Sequence, residues 1–544
     1  MIFNNLLNLI NNSYIFSKKR IRSLYLGSNI YDKKITSSII SFLEYQPSPS
    51  LLDSLIKYDK KKINIEIYSL NKIWDNKKLN KKDYRNLNSF FWLFSLDLKS
   101  SKKDTQSIIS QWIDKNYRYN SKNWEIDIVA KRIIAWTSNS RLTYEDSNTE
   151  YKNKFNNIIK KQINHLINEI ERSDLVDDKM IGCAAIILTG LSYQDDKDQY
   201  LKIGLNLLKK LVKFALDSDG FPKSRNIRQL CFYLKYFILI REWFKESQSE
   251  IPDFINENIY YLGQAYAFCW QNNKVDLLFN GNNETNNTDL DYYLKKLGYS
   301  FKNQNIELGG YAALNDKKNS LIMDVGSSPD KKLSSSYQAG ALSFEIISNK
   351  KKLICNSGYF QNHGHQLNKL SKSSAIHSTL ILDDRSSCKF SKTKDESSKI
   401  SHGLKILKKN IVHEKNYWKI NAAHDGYLKQ YGIIHEREIE FYPEQKKFVG
   451  HDKIIFKDVF RNLKFDIRFH LEPSIKMMKT QDNKSILIDL DSEGWKFNSD
   501  NHNINIDDGL YFGRKGTFVD NHNIVISGMT NDKNQTIKWE ITKI

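Results

Sequence analysis

His363 and His365, separated by one glycine in FQNHGHQLN, are the pair whose type and spacing most suggest chemistry. Imidazole titrates near neutrality, so a base here is conceivable. The same pair in a polar, Gly-containing loop is more often solvent-exposed and idle. His424, in AAHDGY, begins a turn, where histidines commonly make only local hydrogen bonds; the other reading places it on a sheet face. Arg132 lies within a largely apolar helical stretch, and a charge on a core-facing stripe requires a partner. Trp124, Trp136, Trp243 and Trp270 are candidates for stacking on a ligand ring, although aromatics at helical spacing are mostly core. Cys183, Cys231, Cys269, Cys355 and Cys388 are scattered without CxxC spacing, which suggests neither a disulfide framework nor a thiolate zinc site. Each reads as a small buried hydrophobe. No P-loop, GxGxxG, HExxH or GxSxG segment occurs, so nucleotide, zinc-peptidase and serine-hydrolase chemistry are unsupported.

The elements that must position these groups change character along the chain. From about 50 to 295, apolar residues recur at spacings of three and four, as in Ile108, Ile109, Trp112 and Ile113, then Ile128, Val129, Ile133 and Trp136. Further helical stretches cover 161–171, 180–193, 199–216, 228–245 and 255–272, with short polar turns between, as in an array of antiparallel helical hairpins. Near residue 300 the period becomes that of strands: SLIMDVG, ALSFEIISN, STLILDD, REIEFYPE, KFDIRFHLEP and NIVISGM are short and bounded by Gly, Asn, Asp or Ser. Strands without intervening helices indicate antiparallel β-sandwich sheets. The expected division is a basic N-terminal arm at 1–45, a helical domain at 46–300 and a β-domain at 301–544.

A chain of 544 residues with 40% hydrophobic and 12% aromatic residues exceeds one core and is globular. Lys and Arg outnumber Asp and Glu by 83 to 63, a formal charge of +20, which attracts polyanions without choosing among them. Lys and Asn are abundant throughout, so most lysines read as a solvated surface. Nucleic-acid binding lacks any recognition motif. The N-terminal MIFNNLLNLINNSYIFSKKRIRSLYLG has no unbroken apolar core and no small-residue cleavage site, so a cytoplasmic location is expected by default. Its polar face carries Asn as much as Lys, which weighs against an amphipathic membrane-surface helix. No stretch reaches about 18 apolar residues, so no transmembrane segment is expected.

Several segments together resemble the heparinase II/III family of polysaccharide lyases. ALSFEI at 341–346, LICNSG at 353–358 and AIHSTLILDD at 375–384 are similar to the centre of its C-terminal domain. SDG at 218–220 with SRN at 224–226, LFNG at 278–281, HDGYLKQYGIIHER at 424–437, RFHLEP at 468–473 and EGWKF at 493–497 follow in family order. The resemblance implies an (α/α) toroid followed by an antiparallel β-sandwich. It also implies β-elimination on an acidic, uronate-containing polysaccharide, and a periplasmic or cell-envelope setting.

β-Elimination needs a neutraliser for the uronate carboxylate, a base for the adjacent carbon-bound proton and an acid for the leaving oxygen. Carried over by resemblance, the toroid's Asn-His pair falls on Asp178 and Lys179, and its tyrosine near Gln229, with Tyr233 and Tyr236 closest. The positions of the β-domain's HxH become Ser336 and Gln338. The expected rewired catalytic set is Lys179, Tyr233 and His365, while Lys179 pairing with Asp177 or Asp178 is the plainer reading. Arg225, Asn226, Asn280, Gln338 and His377 are the implied substrate-binding set, against a reading in which the polar groups of the toroid close inter-helix turns. Some members hold a structural metal where Gln338, Asn356 and His377 stand here; neutral amides are weak ligands, so no metal or other cofactor is expected. The alternative function is a catalytically depleted polysaccharide-binding or envelope-assembly protein of the same fold.

Overall fold

The computed structural model describes residues 17–18, 20–36, 42–55, 74, 79–96, 101–193, 197–271, 274–285, 287–392, 398–457, 460–491, 493–500, 502–514, 516–531 and 533–544. Residues 1–16, 19 and 37–41 of the expected N-terminal arm lie outside these; 20–26 and Asn29–Ile35 are helical. The chain forms two compact units, one of residues 1–214 with 235–256, the other of 215–234 with 257–544. Helices give way to strands between Thr288–Lys296 and Glu307–Leu308. The contacts thus assign 215–234 and 257–300 to the unit that carries the sheets.

The first unit is helical. Ile126–Ser138 and Val176–Ser192 are apolar nearly all round because they pack on one another and on Thr149–Glu169. Gly182 permits the approach: a Cβ there would stand 2.5 Å from Ile170 Cδ1. Asn148 and Ser101 cap the helices Thr149–Glu169 and Lys102–Asn116 with their side-chain oxygens. Arg132 finds the partners its position demands. It donates to Gln162 Oε1 (3.1 Å), Asn88 O (2.8 Å) and Asn123 O (3.1 Å), and its guanidinium lies 3.9 Å from the Trp112 ring centre. Trp124, Trp136 and Trp243 are buried core, as is Trp270 in the second unit.

Among the described residues the second unit carries four antiparallel sheets. One runs in the order Glu307–Leu308, Tyr311–Asn315, Asn319–Asp324, Phe344–Ser348, Lys351–Ile354. The largest runs Lys476–Lys479, Ser485–Leu490, Glu493–Ser499, Gln535–Lys543, Lys447–Phe456, Ile433–Tyr442, Trp418–His424, Ile406–His413. A third is Ile504–Tyr511, Val519–Met529, Lys464–His470, Leu380–Leu382, and Lys389–Lys392 pairs with Ser398–His402. One core joins the three larger sheets, with Phe344 stacked on Trp539 at 5.3 Å and Phe469 set edge-on to the same indole at 5.0 Å. Gly450 faces Trp539 across the ladder because a Cβ there would fall 2.0 Å from the indole.

Candidate functional site

In the second unit the segment after the Ser-Asp-Gly turn is held by its own polar groups. Asp217 Oδ1 accepts from Asp219 N (3.0 Å) and Phe221 N (2.8 Å), and Gly220 takes a φ of +74°. Arg225, itself at φ +63°, is buried and aims its guanidinium into the first sheet. It donates to Gly309 O (3.2 Å), Gly326 O (3.0 Å), Gly310 O (2.9 Å) and Asp324 Oδ1 (2.7 Å). A Cβ at Gly326 would lie 2.5 Å from that guanidinium, so glycine admits it. Asn226 Oδ1 accepts from Arg228 N (2.9 Å) and Gln229 N (3.3 Å), capping the helix Ile227–Glu246.

The hairpin after LFN meets this segment. Asn280, at φ +43°, donates to Tyr311 Oη (2.6 Å) and Asp324 Oδ2 (3.1 Å), and accepts from Gln338 N (3.3 Å). Gly281 N–H donates to Gln338 Oε1 (2.9 Å). A Cβ on Gly281 would strike Ser336 Cβ at 2.7 Å and Asn226 Nδ2 at 2.9 Å. Gln338 Nε2 donates to Gly358 O (3.0 Å) and Ser371 O (2.5 Å), and the side chain is fully buried. The structure therefore gathers Asn226, Asn280, Ser336 and Gln338 around Gly281. Both Arg225 and Gln338 spend their polar atoms on hydrogen bonds inside the protein, and each fixes backbone.

His377 is buried, bonds Ser373 O through Nδ1 (2.8 Å), and has no partner for Nε2. Burial pushes its pKa down to about 4, so the ring is neutral and Nε2 is an acceptor. Asn356 Oδ1 accepts from Ser378 N (3.0 Å). His365 stands exposed on its loop, caps the helix Gln366–Leu370 by accepting Leu367 N–H at Nδ1 (3.2 Å), and packs on Phe360. Tyr233 is buried beside Phe232 and is not surface chemistry. His424 is buried, which removes it from any exposed sheet face. Gly426 N–H donates to its Nδ1 (3.0 Å), leaving Nε2 to donate to His435 Nδ1 (3.3 Å) and His435 Nε2 to donate to Asp452 (2.7 Å).

Sequence reasoning missed Tyr359 and Arg228. Burial pushes the Tyr359 hydroxyl up, the Arg228 charge opposes that push, and the hydroxyl donates to Ser335 O (3.5 Å). The signal was the position of Tyr359, three residues after Asn356 in NSGY.

In the first unit Lys179 donates to Glu171 O (3.1 Å) rather than to Asp177 or Asp178. It lines a pocket of about 330 Å³ with Glu171, Cys183, Leu207, Lys210 and Phe214. Asp178 is half-buried, and burial first, then the Asp127 charge, pushes its carboxyl up to about 7. The neighbouring cations Arg85 and Lys131 are committed to Asp127, at 2.6 and 3.0 Å. Tyr236 is buried here, with its hydroxyl pushed up by burial and by Asp127 and Asp177.

Residues 302–540 match the family described as heparinase II/III-like, C-terminal. The β region is a heparinase II/III-like domain. Among solved structures, a heparan sulfate lyase HepC mutant from Pedobacter heparinus superposes with a TM-score of 0.65 at 13% identity, over 85% of this chain and 76% of that one. A heparinase III gene product gives 0.68 at 12%, over 87% and 79%, and a further heparinase III gives 0.67 at 14%, over 85% and 76%. At such identity the likeness is one of fold: a helical toroid region followed by antiparallel β-sheets. No curated protein sequence matches the chain.

The residues of this heparinase II/III-like domain do not fit the metal that the resemblance implies for some members. Gln338 Oε1 and Asn356 Oδ1 each accept a backbone N–H and are neutral amide oxygens, weak ligands that leave His377 Nε2 as the one imidazole nitrogen of the three positions. Among the described residues no group of three or more His, Cys, Asp or Glu is placed to hold a metal ion.

Proposed function

We propose that the protein binds an acidic polysaccharide through the heparinase fold, with the inherited elimination machinery converted into structural hydrogen bonds. The observation that carries this reading is Gln338. It stands where the family resemblance expects a histidine, and its side chain makes three buried hydrogen bonds to Gly281, Gly358 and Ser371. An amide so held neither takes a proton nor reaches a sugar. The fold likeness to heparan sulfate lyases and the +20 formal charge support an anionic polymer as the ligand.

A second reading, elimination itself, rests on Asp178. Elimination removes the proton beside the uronate carboxylate, breaks the glycosidic C–O bond, forms a carbon–carbon double bond and protonates the departing oxygen. A carboxyl held near 7 with no hydrogen bond or ion pair among the described residues can hold or release a proton at neutral pH. Incubation with uronate polymers, followed by ultraviolet absorbance of the unsaturated product and by calorimetric titration, separates the two. Binding without product supports the first; product formation abolished by Asp178→Asn establishes the second.

A further inference from the structure

The helical pair at 20–26 and Asn29–Ile35 has two unlike faces. The inner face is fixed to the first unit. Tyr31 Oη bonds His165 Nδ1 (2.8 Å), Asn164 Nδ2 donates to Ile35 O (2.9 Å), Arg22 pairs with Glu169, and Leu26, Tyr31 and Ile35 are buried. The outer face presents Ile21, Leu24 and Ile30, exposed by 68%, 71% and 74%. A helix that spends half its surface on the core has no folding reason to carry three large aliphatic side chains on the other half.

The charges around these side chains are one-sided. Lys18, Arg20, Lys33 and Lys34 are exposed and make no ion pair among the described residues. The acid on the pair itself, Asp32, is taken by Lys161 at 2.7 Å, and Glu169 is taken by Arg22 and, at 3.7 Å, Arg172. Arg118, which donates to Asn29 Oδ1 (3.3 Å), adds a further cation beside the second helix. Exposed aliphatic side chains interspersed along the same two helices with cations that make no ion pair among the described residues suit an interface that offers anionic headgroups above a hydrocarbon layer. A soluble polyanion would use the cations and leave Ile21, Leu24 and Ile30 in water.

We propose that this helical pair is a docking surface for an anionic lipid bilayer, on which the protein rests peripherally. Ile21, Leu24 and Ile30 enter the headgroup–acyl boundary, while Lys18, Arg20, Lys33 and Lys34 lie against lipid phosphates. The inner-face bonds make the surface a fixed part of the first unit, so docking orients that unit rather than a floppy arm. It is independent of the polysaccharide reading. Among the described residues no helix is long and apolar enough to cross a membrane, so attachment by this surface is to one face.

The test is co-sedimentation of the full-length protein with phosphatidylcholine vesicles, with or without phosphatidylglycerol. The expected result is sedimentation with the phosphatidylglycerol vesicles, about tenfold weaker with phosphatidylcholine alone. Ile21→Asn with Leu24→Asn and Ile30→Asn, and separately Lys18→Glu with Arg20→Glu, Lys33→Glu and Lys34→Glu, are each expected to weaken binding about tenfold. All seven side chains are exposed, so melting temperatures should match the parent protein; if one variant misfolds, the other decides. Failure of the parent protein to sediment, or equal sedimentation of the aliphatic-to-Asn variant, would overturn the proposal. So would a self-association in sedimentation velocity that the same variant abolishes, which would give this face to a second copy of the chain.

Discussion

Gln338 joins three stretches of backbone that are distant in sequence, at Gly281, Gly358 and Ser371. Gln338→Ala leaves one buried donor and two buried acceptors without partners, which should cost about 2–4 kcal/mol in urea unfolding. Arg225→Met strands the buried Asp324 carboxylate and three glycine carbonyls, with an expected loss of about 3–5 kcal/mol. A lysine cannot fan out to four acceptors, so Arg225→Lys should recover little of it. Two further residues carry a pH signature of opposite sign. Burial holds His377 down to about 4, below the unfolded value of about 6.5. The unfolded chain therefore binds more protons between those values, and stability falls as pH drops from about 6.5 to about 4. His470, held down to about 3 by burial and Arg468, extends the loss. Asp178 is pushed up to about 7, so its ionisation opposes folding as pH rises through 7. Asp178→Asn should raise the melting temperature at pH about 8 and leave it unchanged at pH about 4. A pH series of melting curves for parent and variant checks both signs.

At the scale of elements, periodicity was enough to find much of the framework. The helical stretches 180–193 and 228–245 fall within one or two residues of Val176–Ser192 and Ile227–Glu246 or inside them at one end. Alternation likewise marked Ile433–Tyr442 and Lys464–His470. The edge strand Ile406–His413 escaped because its apolar residues come in adjacent pairs, Ile406 with Leu407 and Ile411 with Val412, and so show no alternation to read. The site was less legible than the elements. Arg225, Asn280 and Gln338 were visible as polar residues, but their partners lie far along the chain, and one sequence does not reveal which backbone atoms meet. Those partners are buried carbonyls, carboxylates and N–H groups that the structure alone brings together. Sheet register offers its own check. Gly450 stands opposite Trp539, so Gly450→Val should displace the indole and destabilise the protein by about 1–3 kcal/mol, read from denaturant unfolding.

At the scale of the whole molecule, the change of secondary structure near residue 300 and the grouping of contacts do not coincide. Residues 215–234 and 257–300 supply the second unit with Arg225 and Asn280, which anchor the first sheet. A fragment of residues 301–544 would bury Asp324 without its cation, and it should lack the cooperative melting transition that a full-length chain shows. The same arrangement underlies the proposed function, because Arg225, Asn280 and Gln338, the groups the family resemblance offers for substrate, make hydrogen bonds that join those segments to the β-domain. The most direct measurement is the ultraviolet absorbance of the protein incubated with heparan sulfate and other uronate polymers, with binding followed in parallel by calorimetry. The account predicts saturable, salt-sensitive binding and no growth of the unsaturated-uronate signal. Steady growth of that signal, proportional to enzyme and lost in Asp178→Asn, would contradict it.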